Sequence, residues 1–382
     1  MIKTVQVDDR FEDCWDDYVV QHPAGNYCHL FRWKRIIKNA YGHTFIALIA
    51  IRSDCKQGEE NRQIVGVLPI IRIKRYILGN ELVSMPFLDL GGVLADDPEI
   101  EQLLIGYALK LFRQKGAKHL ELRQAEELTS LKNIDDNPGY HNTSEPQHGP
   151  VGFKELLSDD LDCQVMDQKV RMLLKLPGSS GVLMKSFKAK LRSQIKKPTK
   201  EGLYCRSGRK ELLDDFYDIF CTNMHELGSP VHSKRLMENI LVEFSQQARI
   251  FVVYSDRQPL AASFTIGFNR LFSNPWASSL RGYSRLAPNM LLYWSMLEYA
   301  CDHQFSHFDF GRSTPNEGTY RFKAQWGATP LPLLWYCFGS EKTSLSSIKK
   351  VDSRRVAENL WQKLPLSLTR HLGPLIRRFI SL

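Results

Sequence analysis

The residues best suited to chemistry lie together between Phe308 and Gly327, in the run FDFGRSTPNEGTYRFKAQWG. Asp309 stands between two phenylalanines on a predicted short strand, and a period of two sets it on the opposite face from theirs. Ligands gather at the C-terminal ends of strands in open α/β sheets, and this strand ends in Gly311-Arg312-Ser313. Thr319-Tyr320-Arg321-Phe322-Lys323 then brings two cations and a phenol toward the same place. A carbonyl under attack develops negative charge, which a fixed ammonium such as that of Lys323 stabilises. Asp309 is suited to orienting an amine or taking its proton. The same residue types also make a structural ion pair between Asp309 and Arg312 or Arg321, and both readings stay open.

Two other stretches are basic. Leu183, Phe187, Leu191 and Ile195 recur every four residues as the apolar stripe of a predicted helix over 183–197. Lys185, Lys188, Lys190, Arg192, Lys196 and Lys197 cover its remaining surface, which suits a phosphate or RNA backbone and equally a solvated face. From Leu360 to Leu382, Trp361, several leucines and Phe379 mix with Lys363, Arg370, Arg377 and Arg378. That composition suits a helix lying on an anionic membrane, or one docked on the body, with Pro365 and Pro374 expected to break it into short pieces. No P-loop, G-x-G-x-x-G, H-E-x-x-H, G-x-S-x-G or deaminase pattern occurs, and the eleven histidines lack metal-ligand spacing, so no metal is expected. Arg281–Pro288, ahead of a predicted helix, has one glycine where an acetyl-coenzyme A site would carry [RQ]-x-x-G-x-[GA]. A helix N-terminus there still favours phosphate.

These groups need a sizeable scaffold. With 382 residues, 43% of them hydrophobic, the chain is too long for one ordinary core and points to two domains. No segment approaches the roughly 18 consecutive apolar residues of a membrane span. The N-terminus is polar and acidic, unlike a signal peptide, which points to the cytosol or the periphery of the inner membrane. The eight cysteines contain no C-x-x-C pair and read as buried small hydrophobes. The net charge of +9 is uneven: nine acids against two bases from Glu126 to Asp162, then nine bases and no acid from Arg171 to Lys200. Nine bases face two acids from Lys342 onward. A polyanionic partner fits such an excess.

The elements repeat one plan. A helix over 31–42, with Trp33, Ile36, Ile37 and Ala40 on one side and Gly42 as cap, precedes strands at 44–51, 64–73 and 82–85. Pro98 opens a helix over 99–115, and a short strand at 120–122 closes the unit. In the second half, helices near 210–226 and 233–247 precede strands at 250–254, 260–268 and 271–279, a helix at 289–303 and the strand 308–310. This order predicts an α/β (α+β) fold, with a mixed sheet flanked by helices in each of two similar domains. The expected division is 1–150, 151–345 carrying the site, and a basic amphipathic extension 346–382, with the join between about 135 and 162.

The spaced motifs resemble those of FemAB-like proteins, tandem domains of the GNAT acyltransferase fold. They include the run from Phe308 to Gly327, Leu68-Pro69 with Pro86-Phe87 and Gly91-Gly92, Lys190–Lys197, Leu227–Pro230 and Leu286–Pro288. The subgroup it looks closest to is linked to exopolysaccharide and PEP-CTERM protein-sorting loci. The resemblance implies acyl or aminoacyl transfer to a cell-envelope saccharide, or to a phosphorylated or lipid-linked peptidoglycan or exopolysaccharide precursor. The donor would be acyl-CoA or aminoacyl-tRNA, with no metal. Lys323, beside Phe322, occupies the family's position for a cation near the reacting carbonyl. Arg312 and Arg321 would hold substrate phosphates, with Tyr320, Phe322 and Arg281 completing the substrate-binding set. Between Arg206 and Arg249 there is room only for ordinary domain helices, not for the long helical arm of FemA and FemB proteins. The alternative is a non-catalytic scaffold at the inner membrane face, recruited by the basic C-terminus.

Overall fold

In the computed structural model, which describes residues 2–56, 59–75, 79–131, 162–339 and 346–381, the first half builds β1 (Ile2–Val7), α1 (Glu12–Gln21), α2 (Trp33–Tyr41), β2 (Thr44–Lys56) and β3 (Glu59–Arg75). It continues with β4 (Gly79–Val83), β5 (Leu94–Ala95), α3 (Pro98–Gln114) and β6 (Ala117–Gln124). Helix α2 buries Trp33, Ile36, Ile37 and Tyr41 on one face and stops at Gly42, whose φ of +73° an L side chain rarely adopts. At α3, Asp97 caps the N-terminus by accepting from Ile100 N at 2.9 Å, and Pro98 takes the first helical position, where no N–H is needed.

The second half runs β7 (Asp162–Lys175), α4 (Ser180–Ser186), α5 (Ala189–Lys200), β8 (Leu203–Gly208), α6 (Leu213–Glu226) and α7 (Lys234–Glu243). There follow β9 (Ala248–Ser255), β10 (Gln258–Phe268), β11 (Leu271–Ser279), α8 (Pro288–Asp302), β12 (His307–Ser313), α9 (Gly318–Ala324), β13 (Thr329–Gly339), α10 (Ser346–Lys363) and α11 (Leu366–Arg377). The predicted basic helix over 183–197 is therefore two helices. The chain turns at Phe187 and Lys188, both with extended backbone, yet Leu183, Phe187, Leu191 and Ile195 are all buried as the stripe required. The expected join between 135 and 162 falls outside the described residues.

The thirteen strands among the described residues form one mixed sheet, in the order β1-β2-β3-β4-β6-β13-β7-β12-β11-β10-β9-β8, with β5 beside β3. Both halves show the same device: an antiparallel meander, a helix, then a strand parallel to the meander's last one, β6 on β4 and β12 on β11. Strand β13 lies between β6 and β7, with Leu334–Gly339 against Gln124–His119 and Thr329–Gly339 against Leu173–Asp162. A core across the middle interleaves Trp15, Phe31, Trp33 and Ile36 with Phe216, Phe244 and Phe264. Arg32 Nη1 donates to Glu243 O at 3.0 Å, and the Trp33 and Phe244 rings stand 5.6 Å apart. This packing carries residues 26–28 and 87–90 against β11 and β12.

The C-terminal helices dock on α6. Gln362 Nε2 donates to Glu226 O at 2.9 Å, Arg370 pairs with Asp218 at 2.6 Å, and Gly373 lies against Val231. Pro365 does separate α10 from α11, but Pro374 sits in the last turn of α11 without ending it, where its missing N–H removes a single helical bond. The chain then crosses to the first half: His43 Nε2 lies 2.6 Å from Arg378 O, while Phe87 N and Arg123 Nη2 donate to Ser381 O at 2.7 and 3.1 Å.

Candidate active site

Strands β11 and β12 pair only from Leu271–Ser273 to His307–Asp309 and then part. Pro275 has no N–H for a ladder, and the register of β12 against β7 breaks between Asp309 and Arg312. Gly311 makes that break possible: its φ is +75°, and a Cβ there would meet Asn274 O at 3.2 Å. The fork opens into a cavity of about 320 Å³. Its walls are the turn at Asn26–Cys28, the loop Phe87–Leu90, β7, β11, β12, one face of α9 and Arg377 at the end of α11.

Asp309 is buried, with both oxygens engaged: Oδ2 accepts from Arg171 Nε at 2.7 Å and Oδ1 from Gly311 N at 2.8 Å. Lys323, 8% exposed, donates through Nζ to Gly311 O at 3.1 Å and Arg312 O at 2.8 Å. Burial brings its pKa from 10.5 down to about 8, against the pull of Asp309 and Asp89. Arg312 pairs with Asp89 at 3.3 Å and lies 5.3 Å from the Trp335 ring centroid. Arg377 Nε donates to His232 Nε2 at 3.1 Å, and His232 Nδ1 stands 3.0 Å from the Tyr41 hydroxyl. Burial, helped by the charge of Arg377, holds His232 far below its ordinary pKa; it is neutral, with its proton on Nδ1. The Cys28 thiol in the wall is pushed well up by burial, so it offers no thiolate. Ser273 Oγ, in a lining residue, is buried without a protein partner, a polar atom of the kind a ligand satisfies.

Of the seven residues singled out in the sequence, Asp309, Arg312 and Lys323 line the cavity. The ion-pair partner of Asp309 is Arg171, not Arg312 or Arg321. On α9 a step of 100° per residue puts Thr319 and Lys323 on the cavity face and their neighbours elsewhere. Phe322 packs edge-on to Tyr293 at 5.0 Å, Tyr320 is half-buried against the same core, and Arg321 is exposed. Arg281 is also exposed, 3.6 Å from Glu226 and away from the cavity. Residues not foreseen are Arg171, Asp89, Asn274 and Arg377. The one local signal among them was Asn274-Pro275, a ladder-breaking pair inside a strand pattern. Among the described residues no group of three or more His, Cys, Asp or Glu is placed to hold a metal.

Residues 185–324, from α4 to the end of α9, match the model of an acetyltransferase (GNAT) domain. Among solved structures the chain is similar to FemX, at 15% identity and a TM-score of 0.62, covering 91% of this chain and 99% of that one. It is similar to a conserved protein of unknown function from Bacteroides thetaiotaomicron, at 9% identity and a TM-score of 0.54, over 89% of this chain and 100% of that one. A third likeness is to a C-terminal domain described as that of a lysylphosphatidylglycerol synthetase from Agrobacterium fabrum, at 10% identity and a TM-score of 0.53, covering 90% and 95%. No curated protein matches the sequence. The matched stretch is an acetyltransferase (GNAT) domain, and the fold of the whole chain is that of the FemX structure. Within the GNAT class the architecture of the chain is FemAB-like.

Proposed function

We propose that this chain is an acyl- or aminoacyl-transferase that forms an amide or ester on a phosphorylated or lipid-linked saccharide precursor of the cell envelope, of the peptidoglycan or exopolysaccharide kind. The observation that carries this reading is the Lys323 ammonium, buried where β11 and β12 part. An ammonium has three N–H bonds; two go to Gly311 O and Arg312 O, and the third is offered to the cavity. The acceptor nitrogen or oxygen attacks the donor carbonyl carbon, and Lys323 stabilises the charge that grows on the carbonyl oxygen. Such a hydrogen-bond donor is worth roughly a hundredfold in rate. The bond from the carbonyl carbon to the CoA sulfur or the tRNA ribose oxygen then breaks, the leaving thiol or hydroxyl departing with the proton the acceptor gives up. With both oxygens committed, Asp309 orients rather than takes a proton: it holds Gly311, whose carbonyl, with that of Arg312, fixes Lys323.

Four cations line the cavity (Arg171, Arg312, Lys323 and Arg377) against two carboxylates, Asp89 and Asp309, so an anionic substrate is favoured. Arg377, with its Nε held on His232, and Arg312 take the phosphate-binding role that the sequence assigned to Arg312 and Arg321. The donor is acyl-CoA or aminoacyl-tRNA, each of which ends in a carbonyl that can enter the fork end-on. Thermal unfolding with acetyl-CoA, and separately with mixed aminoacyl-tRNA, tests this: at a hundred times its Kd the true donor stabilises the fold by about 2.7 kcal/mol. We expect one of the two to stabilise the wild-type chain, with its affinity at least about tenfold weaker in Arg377→Gln, a loss of about 1.4 kcal/mol. Silence from both overturns the reading.

A further inference from the structure

Fourteen large hydrophobic side chains are exposed among the described residues, and six of them crowd between residues 356 and 376, where an even spread would leave about one. Val356 and Leu360 on α10 are 58% and 60% exposed; Leu368 and Leu375 on α11 are 42% and 58% exposed. These residues do not face outward because the helices failed to dock. Helix α10 buries Trp361, and α11 buries Thr369 and Gly373 against the body, with Arg370 paired to Asp218. On the other side of α11, Leu368, half-buried Leu372 and Leu375 recur at i, i+4 and i+7, a second apolar stripe with nothing over it among the described residues.

We propose that the outer faces of α10 and α11 form a membrane-contact surface, with the exposed leucines and Val356 entering the headgroup–acyl boundary of an anionic phospholipid bilayer. The charge selects this occupant. Nine bases stand against two acids in the sequence from Lys342 onward. With Arg370 and Arg377 engaged on the body, exposed Arg355 and Lys363 still lie beside the apolar side chains on α10. An anionic bilayer therefore attracts a surface that a second copy would repel. An RNA would meet the cations but leave the leucines exposed. No described helix is long and apolar enough to cross a membrane, which fits helices lying in the interface plane. The surface and the cavity share one helix, since Arg377, which lines the cavity, follows the exposed Leu375 by two residues on α11. Where the reading of the cavity given above holds, this contact sets the cavity mouth beside a lipid-linked acceptor; the membrane contact itself does not depend on that reading.

Flotation of the full chain with phosphatidylcholine vesicles, with and without phosphatidylglycerol, tests the surface without any activity assay. The wild-type protein floats with the anionic vesicles, less so at high salt. The triple variant Leu360→Ser, Leu368→Ser, Leu375→Ser binds at least about tenfold more weakly with a urea midpoint close to that of wild type, because none of the three side chains belongs to the buried core. Equal flotation of the triple variant, equal binding to neutral vesicles, or no binding by the wild type each overturns the proposal. So does a wild-type dimer in sedimentation that the triple variant dissolves, which would make the patch an interface between copies.

Discussion

Replacing Lys323 by methionine keeps the length of the side chain and removes its charge, and the consequences differ in sign for stability and for turnover. Lys323 titrates near 8 in the fold against 10.5 for a free lysine. At about 1.4 kcal/mol per tenfold, keeping the ammonium buried costs about 3 kcal/mol at neutral pH. The unfolded chain keeps its proton between pH 8 and 10.5 while the folded chain releases it, so wild-type stability rises with pH through that window. Between pH 7 and 10 this gain amounts to about 2.5 kcal/mol. The thioether of the Lys323→Met variant would be free of the penalty but would leave Gly311 O and Arg312 O without their donor, at about 1 kcal/mol each. The variant is therefore expected to be as stable as wild type, or about 1 kcal/mol more so, at pH 7. By pH 10 it should be the less stable of the two. Urea unfolding of both proteins at the two pH values isolates the lysine, because every other group titrates alike in each. Turnover, with the donor that binds, should fall about a hundredfold. A variant some 3 kcal/mol less stable than wild type at pH 7, with a gap that pH does not move, would show a structural cation and refute the reasoning.

Two further outcomes follow from the same cavity walls. Asp309→Asn leaves Arg171 buried without its counter-charge and should cost about 3–5 kcal/mol in urea unfolding, while the apolar pair Asp309→Leu with Arg171→Met recovers most of it; an undisturbed midpoint in Asp309→Asn would contradict the pairing. Gly373→Val places a Cβ 2.9 Å from Val231 Cγ1 and 3.0 Å from Val231 N, which should lift α11 from the body and speed tryptic cleavage after Arg370 and Arg377. Cleavage at the wild-type rate would show that this close approach is not what holds the tail.

Local signals were enough where a residue's neighbours in sequence decide its environment. The C-cap of α2, Gly42, the proline that opens α3, Pro98, and the stripe at 183, 187, 191 and 195 could be read directly, from turn and helix-start chemistry and from burial that repeats every three to four residues. Strands β7 and β13 could not. The first half of β7 is largely exposed and mixes polar with apolar residues without alternation, β13 contains two prolines, and the partner of β13 on one side, β6, lies some two hundred residues earlier in the chain. The site divides in the same way. Asp309, Arg312 and Lys323 lie on one strand end and the helix after it, so their proximity was legible. Asp89, Arg171 and Arg377 arrive from a loop, a central strand and the tail, and only the sheet order brings them in. Arg321 was misplaced because two residues along a helix is a rotation of 200°, which turns a neighbour of Lys323 to solvent.

The sheet order also accounts for the burial of Lys323. Strand β7 lies between β12 and β13, so α9, which joins those two strands, must bridge over it. One end of α9 is thus tied to β12, the other leads to β13, and β13 pairs with β6 in the first half of the chain. Phe322 and Trp326 pin the helix from one side against Tyr293 and Phe187. Its neighbouring face, about 100° round at Lys323, lies over the strands that bear Arg171 and Asp309, and Lys323 is left 8% exposed. Trp335 on β13 carries the same constraint into the first half, with Arg312 at 5.3 Å from its ring and the fully buried Arg123 at 4.5 Å. Arg123 in turn donates to Met85 O, Leu88 O and Ser381 O, fixing the loop that bears Asp89 and the tail that bears Arg377. Loosening this seam at Arg123 should therefore unsettle both walls of the cavity at once, although Arg123 does not line it.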